Sequence, residues 1–81
     1  MNIQLIQGEF SSKDALDLIT QMIHIKIKYH ENKISTTGNE EDIKYRESKI
    51  KTLQKELFEL RKKIDAATGT VHLNAIINIE K

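Results

Sequence analysis

The sequence contains no cysteine and no proline, and it has only three glycines in 81 residues. The absence of cysteine excludes disulfides, thiolate metal sites and CxxC redox chemistry. It also fits a reducing compartment, and no basic-then-apolar leader is evident, so we expect a soluble cytoplasmic protein. The apolar runs are short and are interrupted by Lys and Asp, which argues against a membrane span. So few loop-forming residues are typical of a helix-rich scaffold.

An excess of charge of one sign is also lacking. Thirteen basic and twelve acidic side chains give a formal net charge of +1. This balance argues against a protein whose affinity comes mainly from neutralising phosphates. A chain of this length buries only about 60–65% of the surface that its unfolded form exposes. We therefore predict a single domain over residues 1–81, with a thin core that no disulfide reinforces.

Residues 39–67 carry the strongest pattern in the chain. Apolar side chains recur there every seven residues, with a second set between them, which predicts a coiled-coil-like stripe along one helix. Asn39 is the expected N-cap of this helix and Gly69 its C-terminal stop. Arg46 interrupts the stripe. The stripe, which we call the seam, comprises Ile43, Ile50, Leu53, Leu57, Leu60, Ile64 and Ala67.

Residues 11–34 predict a second helix, with Ser11 as its N-cap. Its apolar side chains cover an arc of roughly 200°, about twice the width that an ordinary surface helix shows. One partner helix cannot cover that arc. We therefore predict an antiparallel helical hairpin that turns near Gly38, with a sheet, a second subunit or both on the other flank. Lys26 and Lys33 interrupt the arc, so each needs an acidic partner or a route to water.

The two terminal segments are predicted to be β-strands. Apolar and polar residues alternate in residues 1–6, which Gly8 ends, and in residues 70–81. A helical hairpin between two strands brings them together antiparallel. The fold class is therefore α+β, in the order β-α-α-β, with a long antiparallel helical hairpin and paired N- and C-terminal strands. The expected register pairs Ile3 with Ile79, Leu5 with Ile77 and Ile6 with Ile76.

Apolar surface without an intrachain partner predicts self-association. A two-stranded sheet is marginal alone and has two open edges. The first helix has more apolar surface than its partner helix covers, and the outer face of the sheet is also partly apolar. We expect a homo-oligomer, with a dimer favoured, because closed assemblies are common when a small chain lacks a sufficient core. The predicted interface residues are Ile6, Leu18, Met22, Ile25, Phe58 and Ile76.

The turn end of the hairpin is predicted to collect polar side chains. Antiparallel pairing of the helices places His30 beside Arg46. This cluster would recognise an anionic or peptide partner, and His30 could act as a pH-sensitive element. In the alternative interpretation, the core thins out towards a solvated tip and the lysines reach water. The predicted partner-binding residues are Tyr29, His30, Lys33, Tyr45 and Arg46.

No motif predicts catalysis, a metal or a cofactor. The sequence has no nucleophile elbow, Gly-rich phosphate loop or HExxH. Ser11 and Asp14 have the spacing of a helix cap. His24 and His30 fall on different faces of their helix, and His24 and Glu31 are about 10 Å apart along its axis. We therefore predict a protein without catalytic residues, metal ligands or cofactor.

Two functions from different classes are compatible with these patterns. The leading hypothesis is a non-enzymatic oligomeric interaction or scaffold module, which presents the helical hairpin to an unidentified protein partner. The alternative is a small nucleic-acid-binding regulator that uses the basic outer face of the second helix in a dimer. Neither a recognition-helix geometry nor an aromatic stacking platform supports that alternative. Its predicted nucleic-acid face consists of Lys44, Lys51, Lys55 and Lys62.

Overall fold

The computed structural model describes residues 1–65 and 69–81 and has the order strand, helix, helix, strand. The two strands pair antiparallel in one sheet, and the two helices form a hairpin. The predicted α+β class and β-α-α-β order are therefore confirmed. The elements are β1 (Asn2–Ser11), α1 (Ser12–Thr36), α2 (Glu40–Asp65) and β2 (Thr70–Asn78).

No loop separates β1 from α1. Ser11 is the last residue of β1 and also the N-cap of α1, since its hydroxyl accepts the N–H of Asp14 at 3.1 Å. This cap is as predicted. Ser11 also pairs with Thr70 at the start of β2, and the Ser12 hydroxyl donates to the Gly69 carbonyl at 3.3 Å. The sheet and the hairpin therefore join at one end of the molecule, which we call the base.

The connection between the helices is short. Residues 37–39 alone separate α1 from α2. The side-chain oxygen of Asn39 accepts the N–H groups of Glu41 and Asp42 at 2.9 and 3.2 Å, so the predicted second N-cap is also confirmed. A connection of this length makes consecutive helices antiparallel neighbours.

The core is thin, and the seam of α2 supplies most of it. The buried apolar side chains of the described chain are Ala15 from α1 and three seam residues. The other seam residues in the described part are half-buried, and the predicted member Ala67 lies outside the described residues. No large side chain in the described part is completely buried. The three buried seam residues are Leu53, Leu57 and Ile64.

The prediction that Gly8 ends β1 is wrong. The strand continues through it to Ser11 and is ten residues long. Gly8 has a φ of 137°, a backbone conformation that side-chain-bearing residues rarely adopt. Glycine inside a strand often marks a local bend rather than an end, and here it allows β1 to reach the base.

The predicted strand register is wrong. Ile3 pairs with Ile77, and Ile6 pairs with Ala75, with a β-bulge between Gln4 and Ile6. The Gln4 carboxamide donates to the carbonyls of Ile6 and Ala75 at 2.8 and 3.2 Å, which stabilises the bulge. A bulge inserts one unpaired residue, so it shifts every pair beyond it. Alternation alone does not reveal it, because this segment has apolar residues on both faces.

The sheet packs against α1 incompletely. The strands contact α1, and α1 also contacts α2, so α1 has the hairpin partner on one flank and the sheet on another. This arrangement was predicted. Ile6 of the sheet and Ile23 of α1 line an open groove of about 300 Å³ between the two layers. A second groove, of about 400 Å³, has Val71 of the sheet and Ile64 of α2 in its lining. The packing therefore leaves apolar space near the solvent.

The molecule exposes much more surface than a compact protein of its mass. Its accessible surface is 6469 Å², whereas about 5,000 Å² is usual for a folded monomer of this size. Its radius of gyration is 15.3 Å, against about 12 Å for a compact domain.

Within residues 1–65 and 69–81, neither helix has the apolar length that crossing a bilayer requires.

Replacing Leu57 with Ala should lower the free energy of unfolding by about 2–5 kcal/mol, because this buried seam side chain leaves a cavity between the helices. Urea denaturation measures the change. Ile25→Ala is the matched control, since Ile25 is 70% exposed, and it should cost at most about 0.5 kcal/mol in the monomer. Equal effects of the two substitutions would show that the seam is misplaced.

Candidate partner-binding surface on the hairpin

His30 is the buried polar residue of the described chain, with 8% of its surface exposed. Its Nδ1 lies 3.2 Å from Nη1 of Arg46. A guanidinium can only donate hydrogen bonds, so Nδ1 accepts and the ring proton of the neutral imidazole is on Nε2. Nε2 is buried, and within the described residues it has no hydrogen-bond partner. A buried donor without an acceptor lowers the stability of the folded state by about 1–3 kcal/mol.

Asp42 completes a row of polar groups across the hairpin. Nε of Arg46 donates to Oδ2 of Asp42 at 3.1 Å, in the i,i+4 arrangement that is favourable within a helix. Arg46 is thus bonded to Asp42 on its own helix and to His30 on the other. This polar row explains how a charged residue is accommodated in the seam. The sequence predicted that His30 lies beside Arg46, but not that one guanidinium connects it to Asp42.

Tyr29 brings four of the five predicted partner-binding residues together. Its ring centroid is 5.5 Å from that of His30, in an edge-to-face arrangement. Nζ of Lys33 and Cζ of Arg46 lie 5.7 and 5.8 Å from the Tyr29 ring centroid. Tyr29 and Lys33 are exposed, and Lys26 is exposed as well, so both arc lysines have the predicted route to water. The cluster therefore combines a buried polar row with an exposed aromatic and cationic surface.

Tyr45, the fifth predicted residue, is not part of this cluster. Its exposed ring contacts Nζ of Lys49 at 5.3 Å from the centroid. Tyr45 directly precedes Arg46 and therefore points about 100° away from it around α2. It forms a separate aromatic–cation pair on the flank of the helix.

The predicted nucleic-acid face follows one side of α2. All four lysines are exposed, and they extend over about 27 Å of helix. Phe58 lies beside them, with Nζ of Lys62 only 4.5 Å from its ring centroid. Among residues 1–64 and 69–81, Arg46 and Asp42 form the only ion pair, so acidic neighbours such as Glu47 and Glu59 do not engage these lysines. The face is thus a basic stripe with one aromatic side chain.

The predicted oligomer-interface residues are distributed over three regions. On α1, Ile25 and Met22 are exposed and Leu18 is half-buried, and on α2 Phe58 is exposed. On the sheet, Ile76 is exposed, but Ile6 lies beyond the bulge and lines the groove facing the helices. The expected Ile6/Ile76 pair on the outer face therefore does not form, because the extra residue of the bulge turns Ile6 inwards.

The acidic and imidazole side chains are dispersed. No group of three or more His, Asp or Glu side chains in the described part of the chain is close enough to hold a metal ion. His24 and His72 are exposed on different elements. The two grooves are lined mainly by apolar side chains, with Lys26 and Asn74 at the edge of the first. Their chemistry is that of a surface for apolar contacts.

Comparison of the chain with protein-family models, with curated proteins and with solved structures found no match. Similarity therefore supplies neither a family nor a function. Function is inferred instead from the contacts and surfaces of the chain itself.

His30→Leu should raise the free energy of unfolding by about 1 kcal/mol, because it removes a buried donor without a partner. Arg46 keeps its bond to Asp42. Urea denaturation measures the change, and His24→Leu is the control: His24 is exposed on the same helix, so its replacement should change stability by less than about 0.5 kcal/mol. A clear loss of stability in His30→Leu would show that the bond to Arg46 outweighs the unpaired Nε2–H.

Proposed function

We propose that this chain is a non-enzymatic interaction module, which self-assembles as a dimer and presents its helical hairpin to another protein. The excess of accessible surface carries this proposal. The observed 6469 Å² exceeds the value for a compact monomer by about 1,500 Å². A standard protein interface buries about 800 Å² on each partner. Self-association would therefore use surface that folding of the single chain leaves uncovered.

The exposed side of α1 supports the same proposal. Met22, Ile25 and Tyr29 are exposed and follow one another at helical spacing, so they form a single stripe. Ile25, the most exposed of the three, lies about 140° around α1 from His30, which faces α2. Apolar burial supplies most of the free energy of association in such surfaces. We place the protein in the cytoplasm, which agrees with its lack of cysteine.

The charged surface of the hairpin would then determine the choice of protein partner. Tyr29 with Lys33, and Tyr45 with Lys49, are exposed pairs of an aromatic ring and an ammonium group. Aromatic side chains are enriched in binding hot spots, and complementary charge provides specificity. The partner favoured by these pairs is a peptide segment or protein surface with carboxylate side chains.

Light scattering across a hundredfold dilution tests self-assembly. We expect a mass above the 9.4 kDa of one chain, close to twice that value at the highest concentration, because the surface left exposed is large enough for a stable interface. A mass of one chain at every concentration would contradict the proposal.

The alternative is a nucleic-acid-binding regulator. It is favoured by the basic stripe on α2, whose lysines form no ion pair with residues 1–64 or 69–81, and by the exposed ring of Phe58. It is disfavoured by the formal net charge of +1 and by the acidic residues on the same helix. Dimer symmetry would double the stripe, but it would double the acidic residues as well.

A titration with duplex DNA and with RNA at two salt concentrations distinguishes the two functions. We expect no salt-sensitive binding, because a nearly neutral chain releases few counterions from a phosphate backbone. Binding that weakens steeply with salt would support the regulator. It should then weaken further in Lys51→Gln and Lys55→Gln, whereas Lys13→Gln, an exposed lysine on α1, serves as the control.

A further inference from the structure

The end of the sheet farthest from the base is strongly apolar. We call this end the ribbon tip and define it as residues 1–6 and 74–79. More than half of the exposed large hydrophobic side chains in the described chain belong to it. They occupy both strands and are not confined to one face of the sheet. The exposed apolar residues of the ribbon tip are Met1, Ile3, Leu5, Ile76, Ile77 and Ile79.

The ribbon tip also lacks charged side chains. Residues 1–7 and 73–79 contain no Asp, Glu, Lys or Arg, although these residues make up 31% of the chain. Depletion of charge is characteristic of the centre of a protein interface. Edge strands of monomeric proteins are usually protected by charged side chains, especially Lys, or by Pro, and here neither protection is present. The tip therefore has the composition of a contact surface.

Apart from the bulge between Gln4 and Ile6, the backbone of the tip is paired to its end. The N–H of Ile79 donates to the carbonyl of Met1 at 2.7 Å, and the Met1 amino group donates back at 3.1 Å. The sheet described here has only two strands, so each strand has one edge without a neighbour. Such an edge offers alternating N–H and C=O groups to a further strand.

Apolar side chains of the tip are exposed on both faces of the sheet, although on the outer face Ile76 has the polar neighbours Gln4, Asn74 and Asn78. Ile3 and Ile77 pair with each other on the face that carries Ala75 nearer the base. Ile76, the neighbour of Ile77, points to the opposite face, as successive residues in a strand do. A hairpin packed on one side of the sheet covers one face at most. Ile76 therefore stays exposed in the single chain.

A second copy of this chain fits the tip better than a charged partner. A partner with charged side chains would have to desolvate them against apolar side chains, which is costly. A second copy supplies the same uncharged side chains and the same open edge, and two-fold symmetry places identical strands antiparallel. The exposed surface in excess of a compact monomer, about 1,500 Å², exceeds the roughly 800 Å² that each partner contributes to a stable dimer.

We propose that the ribbon tip is the self-association surface, and that it docks against the ribbon tip of a second copy to extend the sheet across the interface. This assignment rests on the proposed self-assembly. It leaves the charged side of α2 free for another partner.

Substitutions of matched exposure test the assignment. Ile76 and Phe58 are 57% and 59% exposed, but only Ile76 belongs to the tip. Ile76→Lys should raise the dimer dissociation constant by about tenfold or more, as expected for a side chain at the centre of an interface. Phe58→Lys should leave it unchanged. Circular dichroism establishes folding, and Ile76→Thr, which keeps a strand-forming β-branched residue, replaces Ile76→Lys should the latter not fold.

Cross-linking provides a second measurement, because the natural chain has no cysteine. Ile76→Cys and Phe58→Cys are each treated with a short bis-maleimide reagent. We expect a covalent dimer from Ile76→Cys and mostly uncross-linked chain from Phe58→Cys.

The outcomes separate the interface from the self-assembly itself. If the natural chain is dimeric but Ile76→Lys and Ile76→Thr dimerise equally well, and Phe58→Cys cross-links in place of Ile76→Cys, the interface lies elsewhere and only this assignment is overturned. If the natural chain is monomeric at every concentration, the proposed self-assembly is wrong as well.

Discussion

The architecture depends on the width of the apolar surface of α1. Its side chains cover more of the helix circumference than a single neighbouring helix can bury, so α1 lies between α2 and the sheet. The sheet satisfies part of this requirement, because its inner residues pack towards α1 around an open groove. The remaining flank, with Ile25, stays exposed. This exposed flank of α1 contributes to the excess of accessible surface.

A polar row of Asp42, Arg46 and His30 lies within the otherwise apolar contact between the two helices. Arg46 occupies a seam position, and its contacts with Asp42 and His30 satisfy it from both helices. If the helices slid past each other by one turn, the guanidinium would lose His30 and lie against apolar side chains. A polar group in such a position favours one alignment of a helix pair at some cost in stability. The unpaired Nε2 of His30 is part of that cost.

Charge is distributed unevenly between the two parts of the fold. The helices carry most of the charged residues, whereas the ribbon tip has no charged side chain. The hairpin surface is therefore suited to a partner recognised by charge and aromatic contacts, such as those of Tyr29 and Tyr45. The ribbon tip is suited to an uncharged partner that adds backbone hydrogen bonds and apolar contacts. The two surfaces lie on different elements, so both could be occupied at once.

Signals carried by neighbouring residues were sufficient for the element order. The caps at Ser11 and Asn39 and the heptad spacing of α2 act within one or two helical turns, so they can be recognised without knowledge of the rest of the chain. The paired residues His30 and Arg46 followed from helix geometry and a short turn. The strand register was different, because it joins residues 59 to 76 positions apart and depends on a bulge that Gln4 stabilises. Only the tertiary structure decides such pairings. They determine that Ile6 and not Ile76 faces the helices, since one inserted residue exchanges the two faces of a strand.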